Sequence, residues 1–331
     1  GYTGKPDSYY NAIINWVKQR YDLVVAKEMI NFVPGIVPGI GMAMNCFTQK
    51  GDKVMIQPPV YHPFAWVTTR NERTLVTNPL KWENGMYRMD LDTFREQIKG
   101  CKLFILCNPH NPGGVVWTEA ELRAIADICY DEKVLVFSDE IHADLTLPPH
   151  THRPFATVSE KARMNSVTFM SPSKAFNMPG LSASHALIFN EDLRKRFRIY
   201  MDAGELDMGH VFAFLSVEAA YSHGTEWLDQ CLAYIQGNID FVDDFLKNHA
   251  PKIKAIRPEA SYLVWLDCRE LKLSQKDLNE FFVDKAHLAL NDGEMFGKEG
   301  IGFMRLNVAS PRCIIEKAMK QLADAYQLYI K

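Results

Sequence analysis

The run Ser171-Pro172-Ser173-Lys174-Ala175-Phe176-Asn177-Met178-Pro179-Gly180 decides how this chain is interpreted. The residues before it, Ser166 to Met170, are β-forming and bounded by polar residues, so they predict a buried strand. A lysine just beyond such a strand, among hydroxyls and small residues, suits a buried amine. Burial lowers a lysine pKa from about 10.4 toward about 7–8, where the neutral amine can form a Schiff base. Taken alone, the run fits a solvated loop lysine beside a serine-rich turn better than a buried amine.

Length and composition limit the classes of protein that the chain can belong to. It has 331 residues, of which 47% are hydrophobic, and a formal net charge of -3. This length predicts two domains, which we place at residues 1–235 and 236–331. The slight acidity argues against a nucleic-acid-binding surface. We find no run of about 18 uncharged apolar residues, so we expect no membrane span.

The cysteines indicate a reducing compartment. Seven of them are scattered along the chain without a CxxC pair, which is typical of reduced thiols in a cytoplasmic protein and not of disulfides or a zinc site. The sequence starts at Gly1 without an initiator methionine, so we expect the natural chain to extend further.

Short apolar runs alternate with helical patterns up to about residue 190. The runs that predict strands are Met29–Val33, Val54–Gln57, Leu103–Cys107, Val134–Phe137, Ser166–Met170 and His185–Phe189. This alternation predicts an α/β fold with a mostly parallel mixed sheet sandwiched by helices. Helical patterns follow, with strands at Ser261–Asp267 and Phe303–Val308, and they predict a smaller α+β C-terminal domain.

Four polar or aromatic side chains each lie just past the end of a different predicted strand: Tyr61, Asn111, Asp139 and Lys174. In sheets of this kind the ligand binds beyond the carboxyl ends of the strands. An aspartate against a pyridine nitrogen keeps that nitrogen protonated, which is what pyridoxal 5'-phosphate (PLP) requires as an electron sink. The four positions therefore predict a PLP site, with Lys174 as the Schiff-base lysine and Asp139 as the pyridinium partner.

Neighbouring residues can complete such a site. Asn111 and His142 can hydrogen-bond the phenolic oxygen of the ring, and Tyr61 can stack on it. The phosphate can bind the hydroxyls of Ser171 and Ser173, together with free N–H groups at Ile36 and Val37, where a helix is predicted to begin.

Two other ligand classes are weaker interpretations. Gly39-Ile40-Gly41 starts like a dinucleotide fingerprint, but Met44 stands at the third glycine position and the acidic residue is missing. Five residues in one stretch have metal-ligand chemistry: Asp139, His142, Asp144, His150 and His152. Pro148-Pro149 and the irregular spacing argue against a preformed metal site there, and we predict none.

Three motifs together resemble the class I/II aminotransferases of PLP fold type I. They are Asn108–Gly114 (NPHNPGG), Ser138–His142 (SDEIH) and Ser171–Asn177 (SPSKAFN). More narrowly, the chain resembles the MalY/PatB-type cystathionine β-lyases along essentially its whole length. The segments that carry this narrower likeness are Asp139–His142, Trp117-Thr118, Trp227–Asp229, Ser261–Asp267 and Phe303–Asn307.

The resemblance implies roles beyond those of Lys174 and Asp139. It implies that Arg305 binds the α-carboxylate of an amino acid substrate and that His142 stands where many relatives have a tyrosine. It also implies that Tyr2 reaches the cofactor phosphate of a neighbouring subunit, so the protein would be a homodimer with shared active sites. Two departures are the absence of a segment before Gly1 and Ser182 at a position where many aminotransferases have an arginine.

The resemblance implies a PLP-dependent carbon–sulfur β-lyase that cleaves L-cystathionine or related cysteine S-conjugates. An aminotransferase is the alternative within the same cofactor class, because both reactions begin when a lysine removes the α-proton. Pocket shape decides between them, and the sequence does not show it. A third interpretation is a PLP-binding regulatory protein without turnover, although no helix-turn-helix is visible.

Overall fold

The computed structural model describes residues 4–329. Within that range the α-helices are α1 Asp7–Tyr21, α2 Ile36–Phe47, α3 Pro63–Arg70, α4 Leu91–Gln97, α5 Glu119–Asp131, α6 Glu160–Met164, α7 Glu191–Asp202, α8 Val211–His223, α9 Thr225–His249, α10 Gln275–Glu280 and α11 Arg312–Tyr329. The strands are β1 Ile30–Val33, β2 Lys53–Ile56, β3 Thr74–Thr77, β4 Lys81–Glu83, β5 Met86–Arg88, β6 Cys101–Cys107, β7 Leu135–Asp139, β8 Ser166–Met170, β9 Ser184–Leu187, β10 Lys254–Ile256, β11 Leu263–Asp267, β12 Asn291–Asp292 and β13 Phe303–Asn307.

A seven-stranded sheet in the order β1-β9-β8-β7-β6-β2-β3 forms the centre of the described structure. Five neighbouring strands pair in parallel, in the spatial order β3, β2, β6, β7 and β8. Strand β9 runs antiparallel to both of its neighbours, β8 and β1. The central strands β6, β7 and β8 are almost wholly buried, as expected of strands covered by helices on both faces. Because β2, β6, β7 and β8 are parallel, their carboxyl ends lie at one edge of the sheet.

A second sheet near the C-terminus is antiparallel throughout, in the order β10-β11-β13-β12. In its register Trp265 of β11 lies opposite Arg305 of β13, and Asn291 of β12 lies opposite Arg305 on the other side. The predicted fold class, a mostly parallel sheet between helices with a smaller C-terminal α+β part, is confirmed.

The hydrophobic clusters lie on both sides of the large sheet. Phe137 and Phe169 contact edge to face on one side of it, and α2 packs there through Ile40 and Met44. On the other side, β6 and α5 bury Phe104 and other apolar side chains. Packing on both faces holds the strands of the sheet in place, so the loops after them start from a rigid base.

The sequence pattern predicts helices over 7–21, 191–202 and about 225–249, and α1, α7 and α9 form with these bounds. Thr118-Glu119-Ala120-Glu121 predicts a capping box at the start of α5, which is confirmed, because Thr118 Oγ1 accepts from the Glu121 N–H at 3.2 Å and Glu121 Oε2 accepts from the Thr118 N–H at 2.8 Å. Asp7-Ser8-Tyr9 predicts a polar cap for α1, and this prediction is wrong: Pro6 occupies the cap position, and the Asp7 carboxylate pairs with Lys27 at 2.5 Å instead.

The hairpin formed by β4 and β5 was not predicted, although the sequence contains its signal. Asn84 and Gly85 form the turn with φ of 51° and 81°, which is the left-handed backbone that an Asn-Gly pair adopts readily. The sequence pattern predicts one helix over 274–285, but α10 ends at Glu280 and a π-helical turn follows from Phe281 to Lys285.

The predicted boundary between residues 235 and 236 falls inside the continuous helix α9. Asn238 of this helix donates from Nδ2 to the carbonyls of Val308 and Ser310, at 2.9 and 3.0 Å. The division into two domains at that position stays a prediction. No helix of the described residues is long and apolar enough to cross a membrane.

Candidate active site

One cavity of about 450 Å³ opens at the edge where the parallel strands end. Its walls come from the loops after β1, β2, β6, β7 and β8 and from the antiparallel sheet. Most of the predicted site residues line it: Ile36, Val37, Tyr61, Asn111, Asp139, His142, Ser173, Lys174 and Arg305. The structure thus brings together side chains that the sequence placed only at separate strand ends.

Asp139 and Lys174 form the charged centre of this cavity. Asp139 ends β7 and is buried, with its Oδ1 accepting from the Ile141 N–H at 3.1 Å. Burial raises the pKa of Asp139 to about 7, the Glu140 carboxylate adds to the rise, and the Lys174 amine opposes it. Burial and the nearby Arg305 cation lower the pKa of Lys174. The amine is therefore easier to deprotonate than a surface lysine.

His142 and Asn111 offer hydrogen-bonding groups to the cavity. His142 is buried, its ring lies edge-on to Tyr262 at 6.3 Å, and its Nδ1 has no partner among the described residues. Burial, together with the cations of Lys174 and Arg305, lowers the pKa of His142 to about 3, so the ring is neutral. The Oδ1 of Asn111 accepts from Arg305 Nη1 at 2.8 Å, which leaves its Nδ2 as a donor for a ligand oxygen.

The start of helix α2 supplies an anion-binding corner. Gly35 caps the helix with φ of 132°, a conformation that favours glycine, and Ile36, Val37 and Pro38 form the first turn. Pro38 has no N–H, and the Gly39 N–H bonds the Gly35 carbonyl at 2.9 Å. The N–H groups of Ile36 and Val37 therefore face the cavity mouth as the first donors of the helix, where they can bind a phosphate.

Ser171 and Tyr2 were also predicted to contact the cofactor phosphate. Ser171 does not line the cavity. Its hydroxyl donates to the Ala183 carbonyl at 2.6 Å and accepts from the Ser173 N–H at 3.1 Å, so it fixes the turn that carries Ser173. Because the turn uses the Ser171 hydroxyl internally, a contact between that hydroxyl and the phosphate stays a prediction. Tyr2 lies outside the described residues.

Arg305 extends from β13 into the cavity without a counter-ion. Its guanidinium bonds the amide oxygens of Asn111 and Asn291, each at 2.8 Å, and lies 4.7 Å above the Phe296 ring. Within residues 4–329 no carboxylate forms an ion pair with it. A partly buried cation with only neutral partners is suited to bind an incoming carboxylate.

Sequence reasoning missed several lining residues, which are Pro34, His62, Cys107, Ser182, Ser184, Tyr262 and Asn307. Some signals were available: His62 follows Tyr61 at the same strand end, and Tyr262 and Asn307 lie within the two C-terminal motifs. Ser182 lines the cavity with a left-handed backbone, at φ of 47°. The family resemblance offered a signal for it, because many aminotransferases have an arginine at this position.

The metal-binding alternative is not supported by the arrangement of its residues. His152 Nε2 bonds Glu140 Oε2 at 2.8 Å, while Asp144 accepts from Trp16 Nε1 at 3.0 Å and from the hydroxyl of Tyr21. Among the residues that the structure describes, no group of three His, Cys, Asp or Glu side chains could hold a metal ion.

The donor set fits PLP on structural grounds. A buried carboxylate, an amine with a lowered pKa, the unpartnered Nδ1 of His142 and the N–H groups at the start of α2 line one cavity. They match the pyridine nitrogen, the aldehyde, the phenolic oxygen and the phosphate of that cofactor. Fold and site together define a PLP-dependent enzyme of fold type I.

Comparison with known proteins agrees with this class. The sequence profile described as "Aminotransferase class I and II" matches residues 2–322. Cystathionine beta-lyase PatB of Bacillus subtilis (strain 168) is 38% identical over 327 residues, which cover 98% of this chain and 84% of PatB. The chain therefore belongs to the class I and II aminotransferase family.

Two solved structures are similar along nearly the whole chain. Cystalysin from Treponema denticola, which contains pyridoxal 5'-phosphate, matches with a TM-score of 0.96 and 35% identity, over 99% of this chain and 84% of cystalysin. The PLP-bound C–S lyase from Staphylococcus hominis matches with a TM-score of 0.92 and 33% identity, over 100% of this chain and 87% of that structure. The predicted family, fold and cofactor are confirmed.

Proposed function

We propose that this protein is a PLP-dependent carbon–sulfur β-lyase that cleaves L-cystathionine or related cysteine S-conjugates to a thiol, pyruvate and ammonia. The observation that carries the proposal is one cavity in which the Lys174 amine lies near the Asp139 carboxylate and the unpaired Arg305 guanidinium. The likeness to PatB, named a cystathionine beta-lyase, and to a C–S lyase structure supports the choice of reaction.

Each side chain has a distinct task in this proposal. Arg305 binds the α-carboxylate and so orients the amino acid in the cavity. When bound, PLP delocalises the negative charge that forms at the α-carbon, which makes the α-proton removable. Lys174 Nζ accepts that proton, because its lowered pKa leaves a larger neutral fraction than a surface lysine has. The same nitrogen can then give a proton to the departing sulfur.

Asp139 and the anion-binding corner hold the cofactor in this proposal. A pyridinium nitrogen is the counter-charge that the buried Asp139 carboxylate lacks, so their pairing favours the ionised acid and keeps the proton on the ring. The N–H groups of Ile36 and Val37 and the Ser173 hydroxyl bind the phosphate. His142 and Asn111 Nδ2 face the phenolic oxygen, and Tyr61 packs against the ring.

An aminotransferase is the second candidate, because the matching sequence profile is that of class I and II aminotransferases. The test is to incubate the purified PLP-loaded protein with L-cystathionine and no added keto acid, while thiol, pyruvate and ammonia are measured. A lyase releases all three continuously over many turnovers. A stall after one turnover, rescued only by 2-oxoglutarate or pyruvate, would overturn the lyase assignment and leave the cofactor assignment intact.

We also propose that the protein is a homodimer whose active sites are shared. An apolar face near the start of α8 supports this, since Met208, Val211, Phe212 and Leu215 are 45%, 39%, 67% and 52% exposed. Lys5 forms an ion pair with Asp207 at 2.7 Å, so the chain before α1 runs along the edge of this face. In this dimer we propose that Tyr2 of one subunit binds the cofactor phosphate of the other.

Light scattering after size-exclusion chromatography tests the dimer. Phe212→Glu together with Leu215→Glu should produce monomers, and a dimer that persists in this variant would contradict the proposed interface. Mixing Tyr2→Phe with Lys174→Ala subunits should restore activity to some mixed dimers if the sites are shared.

For localisation we propose the cytoplasm, supported by seven cysteines that are all unpaired.

A further inference from the structure

Among residues 4–329, Arg305 has only neutral hydrogen-bonding partners, and one of them, Asn291, lies outside the cavity lining. We propose that Asn291 is a positioning residue that orients Arg305 and, because its amide is uncharged, leaves the guanidinium charge available for a substrate carboxylate. This inference rests on the proposed role of Arg305 in substrate binding, and it assigns carboxylate selectivity to a residue that does not touch the substrate.

The geometry at Arg305 is a two-sided clamp. Asn111 accepts from Nη1 and Asn291 accepts from Nη2, both at 2.8 Å, so the guanidinium plane is set by two amide oxygens. Phe296 lies under the guanidinium at 4.7 Å. The buried Nε has no partner within the described residues. Burial lowers the pKa of Arg305 to about 10, which agrees with a cation that lacks a negative neighbour.

The carboxylate of Asp292 is next to Asn291 in the chain, but it lies on the other side of strand β12. Asp292 follows in β12, and neighbouring residues of a strand face opposite sides. Its Oδ1 accepts from Gln275 Nε2 and its Oδ2 from Asn279 Nδ2, both at 2.6 Å, and the Glu294 N–H bonds Oδ1 at 2.8 Å. The negative charge is thus tied to α10, while the neutral amide faces Arg305.

The segment that carries Asn291 is fixed by close backbone packing. A Cβ atom on Gly293 would lie 2.2 Å from the Gly300 carbonyl oxygen, so the two glycines hold the ends of this short segment together. The Val60 N–H bonds the Phe296 carbonyl at 2.9 Å, which attaches the segment to the loop that contains Tyr61. Asn291 itself is exposed, but β12 pairs it directly with Arg305 of β13, and this register places its amide beside the guanidinium.

The physical consequence is a selectivity that depends on charge at residue 291. An aspartate at this position would add a negative charge that pairs with the Arg305 guanidinium and repels an incoming carboxylate. Asn291→Asp keeps the shape and the acceptor oxygen. A residue that only held β12 to β13 would tolerate that change, whereas the proposed positioning residue would not.

The experiment compares Asn291→Asp and Asn291→Ala with the control Asp292→Asn in the PLP-loaded protein. Propionate and its uncharged analogue propionamide are the probes, and binding is read from the cofactor's visible absorbance during titration. We expect Asn291→Asp to weaken propionate binding roughly tenfold and Asn291→Ala roughly threefold, with propionamide unchanged. Asp292→Asn should leave both probes within about twofold of wild type.

Kinetics and melting temperature complete the test. For L-cystathionine, Asn291→Asp should raise KM roughly tenfold and leave kcat within about threefold. Wild-type propionate binding by Asn291→Asp, equal losses for propionate and propionamide, or an equal loss in Asp292→Asn would each overturn the inference. Because the titration needs no turnover, it gives its answer even if the protein is not a lyase. Thermal melting shows whether each variant is folded.

Discussion

Arg305 Nη1 lies 2.8 Å from Asn111 Oδ1, although 194 residues separate the two in the chain. This hydrogen bond joins the C-terminal antiparallel sheet to the turn after β6. It connects the proposed carboxylate-binding residue to a residue that we place beside the cofactor's phenolic oxygen. In the proposed function, one continuous set of contacts would therefore position both substrate and cofactor, and the first predictions concern its members.

Lys174→Ala should abolish both the visible absorbance of the lysine-bound cofactor and turnover of L-cystathionine. One amine is expected to anchor the cofactor and to move the proton, so both properties depend on it. Absorbance spectra and pyruvate release measure the two. Lys195→Ala is the matched control, because that lysine pairs with Glu191 on the surface. Wild-type turnover in Lys174→Ala would refute the assignment, whereas lost colour alone could reflect released cofactor.

Asp139→Asn should retain PLP but lose most of its kcat. An amide cannot stabilise a positive charge on the pyridine nitrogen, so the ring would become a weaker electron sink. Cofactor content and kcat are measured on the same preparation. An unchanged rate would mean that Asp139 has only a structural role.

The same substitution should stabilise the cofactor-free protein at neutral and higher pH. The pKa of Asp139 is about 7 in the folded chain against 3.8 ordinarily, so ionisation between these values favours the unfolded state. At about 1.4 kcal/mol for each pH unit, the wild type should lose roughly 4 kcal/mol of stability as the pH rises from 4 to 7. The amide that replaces the carboxyl group in the variant cannot ionise. Urea unfolding should show the two proteins converging near pH 4 and diverging above it; equal profiles would contradict the raised pKa.

Arg305→Ala should lower kcat/KM for L-cystathionine by roughly 150-fold. This corresponds to the loss of a bidentate contact of about 3 kcal/mol with the α-carboxylate. An analogous amine that lacks the carboxylate provides the comparison, and its slow reaction should be insensitive to the change. Equal losses for both substrates would rule out carboxylate binding as the role of Arg305.

Asp144→Ala should reduce stability without changing metal content. Asp144 is buried and accepts from Trp16 Nε1 and the Tyr21 hydroxyl, so its removal leaves two buried donors without an acceptor. Each such donor costs about 1–3 kcal/mol, so urea unfolding should show a loss of roughly 2–6 kcal/mol. Unchanged stability would contradict this structural role, and metal that depended on Asp144 would revive the metal-site alternative.

Local signals in the sequence predicted more of the fold than of the site's finer geometry. Thr118 and Glu121 lie three residues apart, so their capping box was visible in the sequence and formed as expected. The β4–β5 hairpin had an equally local signal, Asn84-Gly85, and could have been predicted from it. No local signal predicted that β9 runs antiparallel to β8, because the direction of a strand depends on how the intervening loop packs.

The sequence by itself determined the fold class and the placement of Lys174 and Asp139 at strand ends, and its motifs resemble a PLP-dependent family, which implied the cofactor. The fold class and the strand ends follow from short apolar runs and the residues just after them, and such patterns act within a few residues of chain. Only the tertiary structure decided that Ser173 and not Ser171 faces the cavity, and that Arg305 lies between two neutral amides. The orientation of Ser173 depends on which side of a turn a side chain occupies, and the position of Arg305 depends on contacts between segments that are distant in the chain. Packing of the whole chain sets both the turn and these contacts.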